Sequence, residues 1–387
     1  MRNRVSSSFL IPALLLMLGL AGCNSPEYHR LMARTIAPAS DAQIAGEHRI
    51  FLATTRAKSD QDGLVFSGDR NLDPYFAFVD VTVPKVHEAG NIERAVNPVV
   101  ADPARYFTAR RLGIFRSRDD YRDELAREIR QRGGRAMVFV HGYNTAFDDA
   151  VYRMTQVAHD SGYPGAVVLF TWPSAGRVVD YLYDQNSAMA SRDALEDMLR
   201  LVAEAGAERI DLIAHSMGSL VTMEALRQLA MSNDADLNGR LADVILASPD
   251  IDADVFKTQK RRLGSSRTNF VVLASRNDRA LGFASFLSGS RERVGAILNA
   301  EELAEYGVTV VDVTALSAAD SLNHTKFAEN PVLVKLLGVT LTREDTIVND
   351  RTLSNQLSSI TGSIGQTVGN AAGIIITTPF RVFELAL

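Results

Sequence analysis

Only one cysteine, Cys23, occurs in 387 residues, so the chain can form no intrachain disulfide and no site built from several thiolates. Basic charge is also scarce. The 41 Lys and Arg residues are outnumbered by 46 Asp and Glu, the formal net charge is −5, and no basic stripe is present. No nucleic acid is therefore expected as a partner. No two histidines fall at a ligand spacing such as H-x-x-x-H, which disfavours a metal hydrolase and leaves neither metal nor other cofactor to expect. There is no internal repeat. What remains, 46% hydrophobic and 22% charged, is the composition of a globular enzyme.

The N-terminal residues point to a compartment. Arg2 and Arg4 precede an apolar run over 9–20, which closes on Leu20-Ala21-Gly22-Cys23. A run this short, ended by small residues, reads as a signal peptide rather than a spanning helix. Leu-Ala-Gly-Cys resembles the lipobox of bacterial lipoproteins, and the resemblance implies removal of residues 1–22 and lipidation of Cys23. Once lipidated, the single cysteine is neither nucleophile nor ligand. Several acyl chains anchor a protein stably where one does not, so the expected location is the bacterial cell envelope, membrane-anchored, with the catalytic domain outside the cytoplasm. Asn24 stands where an aspartate would resemble an inner-membrane retention signal, which favours the outer membrane. Residues 23–46, with Pro26 and Pro38, read as a tether.

Regular structure is expected from His48. Strands are expected over 50–53 and 76–83, then a looser segment through Pro98 and Pro103, then a charged helix over 121–132. Apolar strands over 136–140, 166–170, 210–214, 244–247, 270–274 and 308–313 alternate with helical patterns that include 147–159 and 193–205. This alternation predicts an α/β fold, a mostly parallel central sheet with helices on both faces. Ligands on such sheets bind beyond the carboxyl ends of the strands. Residues 47–340 read as one catalytic domain and 341–387 as a polar, glycine-rich tail. Residues 352–380 carry no charge, and Gly365, Gly369 and Gly373 are spaced by four. That spacing suits membrane or protein contact through close packing, whereas the abundant Ser, Thr, Asn and Gln suit a polar, flexible tail.

The strand over 210–214 runs into His215-Ser216-Met217-Gly218 and then a helix. Ala214 and Gly218 are small, as a sharp strand-to-helix turn around Ser216 requires. The segment resembles the G-x-S-x-G nucleophile elbow of α/β-hydrolases, with Ala214 replacing the first glycine. A serine hydroxyl needs a base, and the base needs a carboxylate to hold its tautomer. In that fold the order is serine, acid, histidine. His324 is the only histidine after Ser216 and is the expected base. Asp278, flanked by Arg276 and Arg279, is the favoured acid, with Asp250 or Asp252 as the alternative. The oxyanion hole is expected from the backbone N–H of Met217 and of Tyr143, with Asn144 as a further candidate. His141, Gly142, Trp172 and His215 are placed around the substrate pocket, the two histidines as loop-ordering groups and Trp172 as a wall or as core.

These segments, together with Phe51-Leu52-Ala53-Thr54-Thr55-Arg56, Thr171-Trp172-Pro173-Ser174, Ser248-Pro249-Asp250-Ile251-Asp252 and Asn323-His324, resemble a bacterial α/β-hydrolase family of unknown function whose members are often lipoproteins. The resemblance covers roughly 48–340. It implies the α/β-hydrolase fold and a serine hydrolase with a serine–histidine–acid triad, and it supplies no substrate. The connection over 249–268 is too short for a large cap domain, while 281–305 is expected to form a small helical flap. An open cleft of this kind suits an acyl ester, thioester or amide on a bulky or surface-presented substrate. The leading expectation is an envelope-anchored serine hydrolase of carboxylic esters acting through an acyl-enzyme. A peptidase or lipase would use the same triad, and a catalytically idle fold serving as an envelope scaffold is the alternative of another class.

Overall fold

A computed structural model describes residues 40, 42–60, 64–95, 101–264, 267–296, 299–318, 320–342, 374–379 and 382–384. The expected signal peptide, Cys23, Gly365, Gly369 and Gly373 lie outside the described residues. The strands are β1 (Ile44–Lys58), β2 (Phe66–Pro84), β3 (Thr108–Ile114), β4 (Arg135–Val140), β5 (Ala166–Thr171), β6 (Arg209–His215), β7 (Leu241–Ala247), β8 (Asn269–Ala274), β9 (Val308–Asp312), β10 (Ile375–Thr377) and β11 (Val382–Glu384). They form one sheet in the order β11-β10-β9-β8-β7-β6-β4-β5-β1-β2-β3. β1 and β4 to β9 run parallel. Antiparallel β2 and β3 extend one edge, and β10 and β11 the other.

Every residue of β5 and of β7 is buried. Burial on both faces is why these strands read as continuous apolar runs rather than alternating ones. Successive side chains enter opposite layers: Val138, Phe170, Leu212 and Val244 pack in one core cluster, and Met137, Leu169, Ile213 and Ile245 in the other. The helices covering these layers are α1 (Arg118–Gln131), α2 (Phe147–Asp160), α3 (Tyr181–Ala190), α4 (Arg192–Glu204), α5 (Met217–Met231), α6 (Ala253–Leu263), α7 (Arg279–Leu287), α8 (Ala300–Ala304), α9 (Lys326–Glu329) and α10 (Pro331–Leu341). Among the described residues no helix is long and apolar enough to cross a membrane.

The differences from the sequence reading are local. The looser segment before α1 contains β3, and α3 occupies a connection where no helix was expected. Among the described residues the one helix between β7 and β8 is α6, and α7 and α8 overlap the expected flap. The segment 341–387 is not wholly a tail beyond the fold. Ile375 and Ile376 pair antiparallel with Asp312 and Val311, and Ile376 is buried. An edge strand leaves N–H and C=O groups unpaired, and this short run covers the β9 edge along Val310 to Asp312.

Candidate active site

β6 ends at His215 and α5 begins at Met217, with Ser216 between them at φ 53° and ψ −125°. A side-chain-bearing residue adopts this backbone only when its surroundings enforce it. Here Ser216 N–H donates to Ala247 O at 2.9 Å, and Ser216 O accepts from Ser219 N–H at 2.9 Å and Asp250 N–H at 3.1 Å. Gly218 is required by contact: a Cβ there would stand 2.3 Å from His141 O and 2.7 Å from Val140 O. Ala214 is fully buried, so its methyl group is accommodated where the usual motif has glycine.

His324 lies in the turn after β9. Asp320 accepts its N–H at 3.0 Å, the Thr325 N–H at 2.7 Å and the Thr325 hydroxyl, which fixes the turn. His324 Nδ1 donates to Asp278 Oδ2 at 2.7 Å, while Asp278 Oδ1 caps α7 by accepting from Leu281 N–H at 3.0 Å. Asp278 is thus the aspartate that meets the histidine. Asp252 instead caps α6, accepting from the N–H groups of Asp254 and Val255. Asp250 accepts from the Tyr181 hydroxyl at 2.8 Å and lies 3.3 Å from Arg293 Nε.

Burial alone would lower the His324 pKa, but Asp278, then Asp250 and Asp320, outweigh it and hold the imidazole above its usual value. Buried Lys326 joins the two loops, its Nζ donating to Ser275 Oγ at 2.8 Å, Asn277 Oδ1 at 2.7 Å and Val313 O at 3.2 Å. His215, kept neutral chiefly by burial, donates from Nε2 to His324 O at 3.2 Å. Ser216 and His324 line one cavity of about 420 Å³, with no hydrogen bond between their side chains among the described residues.

The loop after β4 faces the elbow. A Cβ on Gly142 would stand 2.8 Å from both Ser216 Cβ and His215 Nδ1, so only glycine lets this backbone approach the serine. His141 Nε2 accepts from Trp172 N–H at 3.1 Å and its Nδ1–H donates to Gly142 O at 2.9 Å, a network that assigns the neutral Nδ1–H tautomer. Burial, then the Arg56 charge, lowers the His141 pKa to about 3. Asn144 N–H is committed to Asp184 Oδ2 at 3.1 Å, which removes Asn144 as an oxyanion donor. Tyr143 N–H has no hydrogen bond among the described residues.

Trp172 is not a pocket wall. It stacks on His141 with ring centroids 4.9 Å apart, donates from Nε1 to His141 O at 2.9 Å and is absent from the cavity lining. The lining includes His141, Gly142, Tyr143 and His215, an apolar side with Val178, Tyr181, Leu281 and Phe283, and a charged side with Arg94, Asp149 and Arg153. The sequence reading did not find Asp184, Asp320, Lys326 or Tyr181. Of these, only Asp320 carried a local signal, a turn-forming aspartate four residues before the sole candidate base.

Residues 117–340, more than half of the chain, match the family described as alpha/beta hydrolase of unknown function (DUF900). An uncharacterized protein of Nostoc sp. is 38% identical over 65 residues, and the match spans 16% of this chain and only 17% of that protein's length. An esterase of Pyrobaculum calidifontis is similar at 12% identity over 92% of each chain, with a TM-score of 0.30. A fungal esterase from Rhizomucor miehei is similar at 10% identity over 84% of this chain and 87% of that one, with a TM-score of 0.31. The family match takes in β4 to β9, the elbow, the Asp278 loop and the histidine turn, and the chain belongs to the α/β-hydrolase family of unknown function.

Proposed function

We propose that this α/β hydrolase cleaves carboxylic esters or thioesters through Ser216, His324 and Asp278. The observation that carries the reading is the 2.7 Å contact from His324 Nδ1 to buried Asp278, made in the wall of the cavity that Ser216 enters from a left-handed turn. His324 Nε2 takes the proton of the Ser216 hydroxyl as its oxygen attacks the substrate carbonyl, and Asp278 stabilises the resulting imidazolium. The N–H groups of Tyr143 and Met217, the second at the N-terminus of α5, receive the developing oxyanion. The leaving alcohol or thiol takes the proton from His324, and water then releases the acyl group by the same steps reversed.

The test is labelling by a fluorophosphonate probe, with turnover of p-nitrophenyl esters of increasing chain length. Both are expected for the wild-type chain and neither for Ser216→Ala. Folded wild-type protein that does neither would support the idle-scaffold reading. Anchoring in the outer membrane through a lipid on Cys23 belongs to the same proposal and rests on the Leu20-Ala21-Gly22-Cys23 resemblance. Incorporation of radiolabelled palmitate that survives Cys23→Ser would refute it.

A further inference from the structure

Arg56 ends the segment Phe51-Leu52-Ala53-Thr54-Thr55-Arg56, to which neither the elbow nor the triad gives a role. Its side chain is almost wholly buried, 1% exposed, and burial lowers its pKa only to about 10, so it stays charged at neutral pH. Among the described residues its hydrogen bonds all go to neutral acceptors. Nε donates to Thr171 Oγ1 at 2.8 Å, and Nη1 to Ser174 O at 3.0 Å and Ser67 O at 3.2 Å. Nη2 donates to Thr145 O at 2.6 Å and to His141 Nε2 at 3.4 Å. From β1, one planar guanidinium therefore grips the 141–145 loop at both ends while holding the end of β5 and the start of β2.

Asp184, fully buried on α3, grips the same loop. Its carboxylate accepts from Asn144 N–H at 3.1 Å, Ala175 N–H at 2.8 Å and Ser174 Oγ at 2.5 Å. Ser174 links the two charges: its carbonyl accepts from Arg56, and its hydroxyl donates to Asp184 and accepts from Thr145 N–H at 3.0 Å. Asn144, between the grips, is fixed at φ 54°. The residues after Tyr143 are thus tied through Thr145 O to a cation and through Asn144 N–H to an anion.

We propose that Arg56 and Asp184 are positioning residues, an ion pair bridged by Ser174 that fixes the 141–145 loop so that Tyr143 N–H meets the oxyanion. The proposal rests on the reading that Tyr143 supplies an oxyanion donor to the Ser216 reaction. A buried cation without a contacting counter-ion is costly for stability alone. A rigid fork with several directed donors is suited to holding backbone carbonyls in a fixed orientation. Lysine retains the charge and loses the fork.

The experiment compares Arg56→Lys, Asp184→Asn and Ser174→Ala with wild type, each shown to be folded by circular dichroism. Ester turnover is measured alongside inhibition by a trifluoromethyl ketone, whose carbonyl carbon bonds to Ser216 Oγ while the hydroxyl proton passes to His324, leaving an oxyanion in the same place. Losing one aimed oxyanion donor costs about 100-fold or more in kcat, so a partial loss of aim is expected to cost about 10- to 100-fold. KM should stay within about twofold, and the ketone Ki should rise by the factor that kcat falls. Asp184→Asn and Ser174→Ala decide the matter if Arg56→Lys does not fold. Folded variants with kcat and Ki near wild type would overturn the proposal. So would a fall in kcat explained by the folded fraction, with Ki unchanged. Wild-type protein that neither labels nor turns over esters overturns the serine-hydrolase reading itself, and this proposal with it.

Discussion

Replacing Asp278 by asparagine removes one charge and changes almost nothing in shape. The carboxylate is buried and its Oδ2 lies 2.7 Å from His324 Nδ1. In the proposed mechanism His324 carries a positive charge in the transition state, with the charge centres about 4 Å apart. At an effective dielectric of about 20 this attraction is about 4 kcal/mol, or about three decades of rate at about 1.4 kcal/mol per decade. An asparagine amide can also donate to Nδ1, which places the imidazole proton on the nitrogen that should accept from Ser216. Together these effects predict a fall in kcat of about 10³- to 10⁴-fold, with KM changed little. The pH profile adds a sign. The base must be neutral, and the wild-type pKa is held above the usual imidazole value mainly by Asp278 against burial. The acid limb of kcat/KM should therefore lie above the usual imidazole value and move to lower pH in Asp278→Asn. The assay is steady-state ester hydrolysis across about pH 5 to 9 for Asp278→Asn, Asp250→Asn and Asp252→Asn. Retention of more than about a tenth of kcat in folded Asp278→Asn, or a larger loss in Asp250→Asn, would refute the argument.

Asp252→Ala removes the cap of α6 and should cost about 1 kcal/mol in denaturant unfolding, leaving kcat within about twofold. Gly218→Ala gains helix propensity worth about 1 kcal/mol, but its Cβ would press within 2.3 Å of His141 O. Overpacking costs up to about 3 kcal/mol, so a net loss of about 2 kcal/mol and strongly reduced probe labelling are expected. Burial, then His159, lowers the His48 pKa to about 4. Its folded value lies below the unfolded value of about 6.5, so its contribution to stability is complete above about pH 6.5 and is lost as pH falls toward about 4. The thermal midpoint of wild type should drop between about pH 7.5 and 5, and drop less in His48→Gln. Equal drops would assign the acid sensitivity to other groups.

Much of this protein was legible along the chain because the relevant signals are local. Strands β4 to β9 announce themselves as apolar runs because both faces are buried, and Ala214 and Gly218 mark the elbow because its turn has no room for bulk. His324 follows from counting, since no other histidine comes after Ser216. The acid was not decidable in this way. Asp250, Asp252 and Asp278 all follow parallel strands, and each serves a loop or helix end by accepting hydrogen bonds. Trp172 was open between cavity wall and core because a residue at the carboxyl end of a strand can face the ligand or the layer behind it. Trp172 faces His141. Asn144 failed as an oxyanion donor because its N–H had a partner 40 residues away in Asp184, on a helix the sequence did not signal.

The sequence by itself determined the layered α/β architecture, the candidate nucleophile and the candidate base, since hydrophobic period, residue size and chain order are properties of neighbouring residues. The tertiary structure decided which carboxylate meets His324, that Asp184 takes the Asn144 N–H, and how Arg56 and Asp184 grip the loop between them. It also placed Ile375 and Ile376 against β9. Burial can be read from a pattern along the chain, but the partner of a buried polar group is chosen by distance and direction across segments that only the folded sheet brings together.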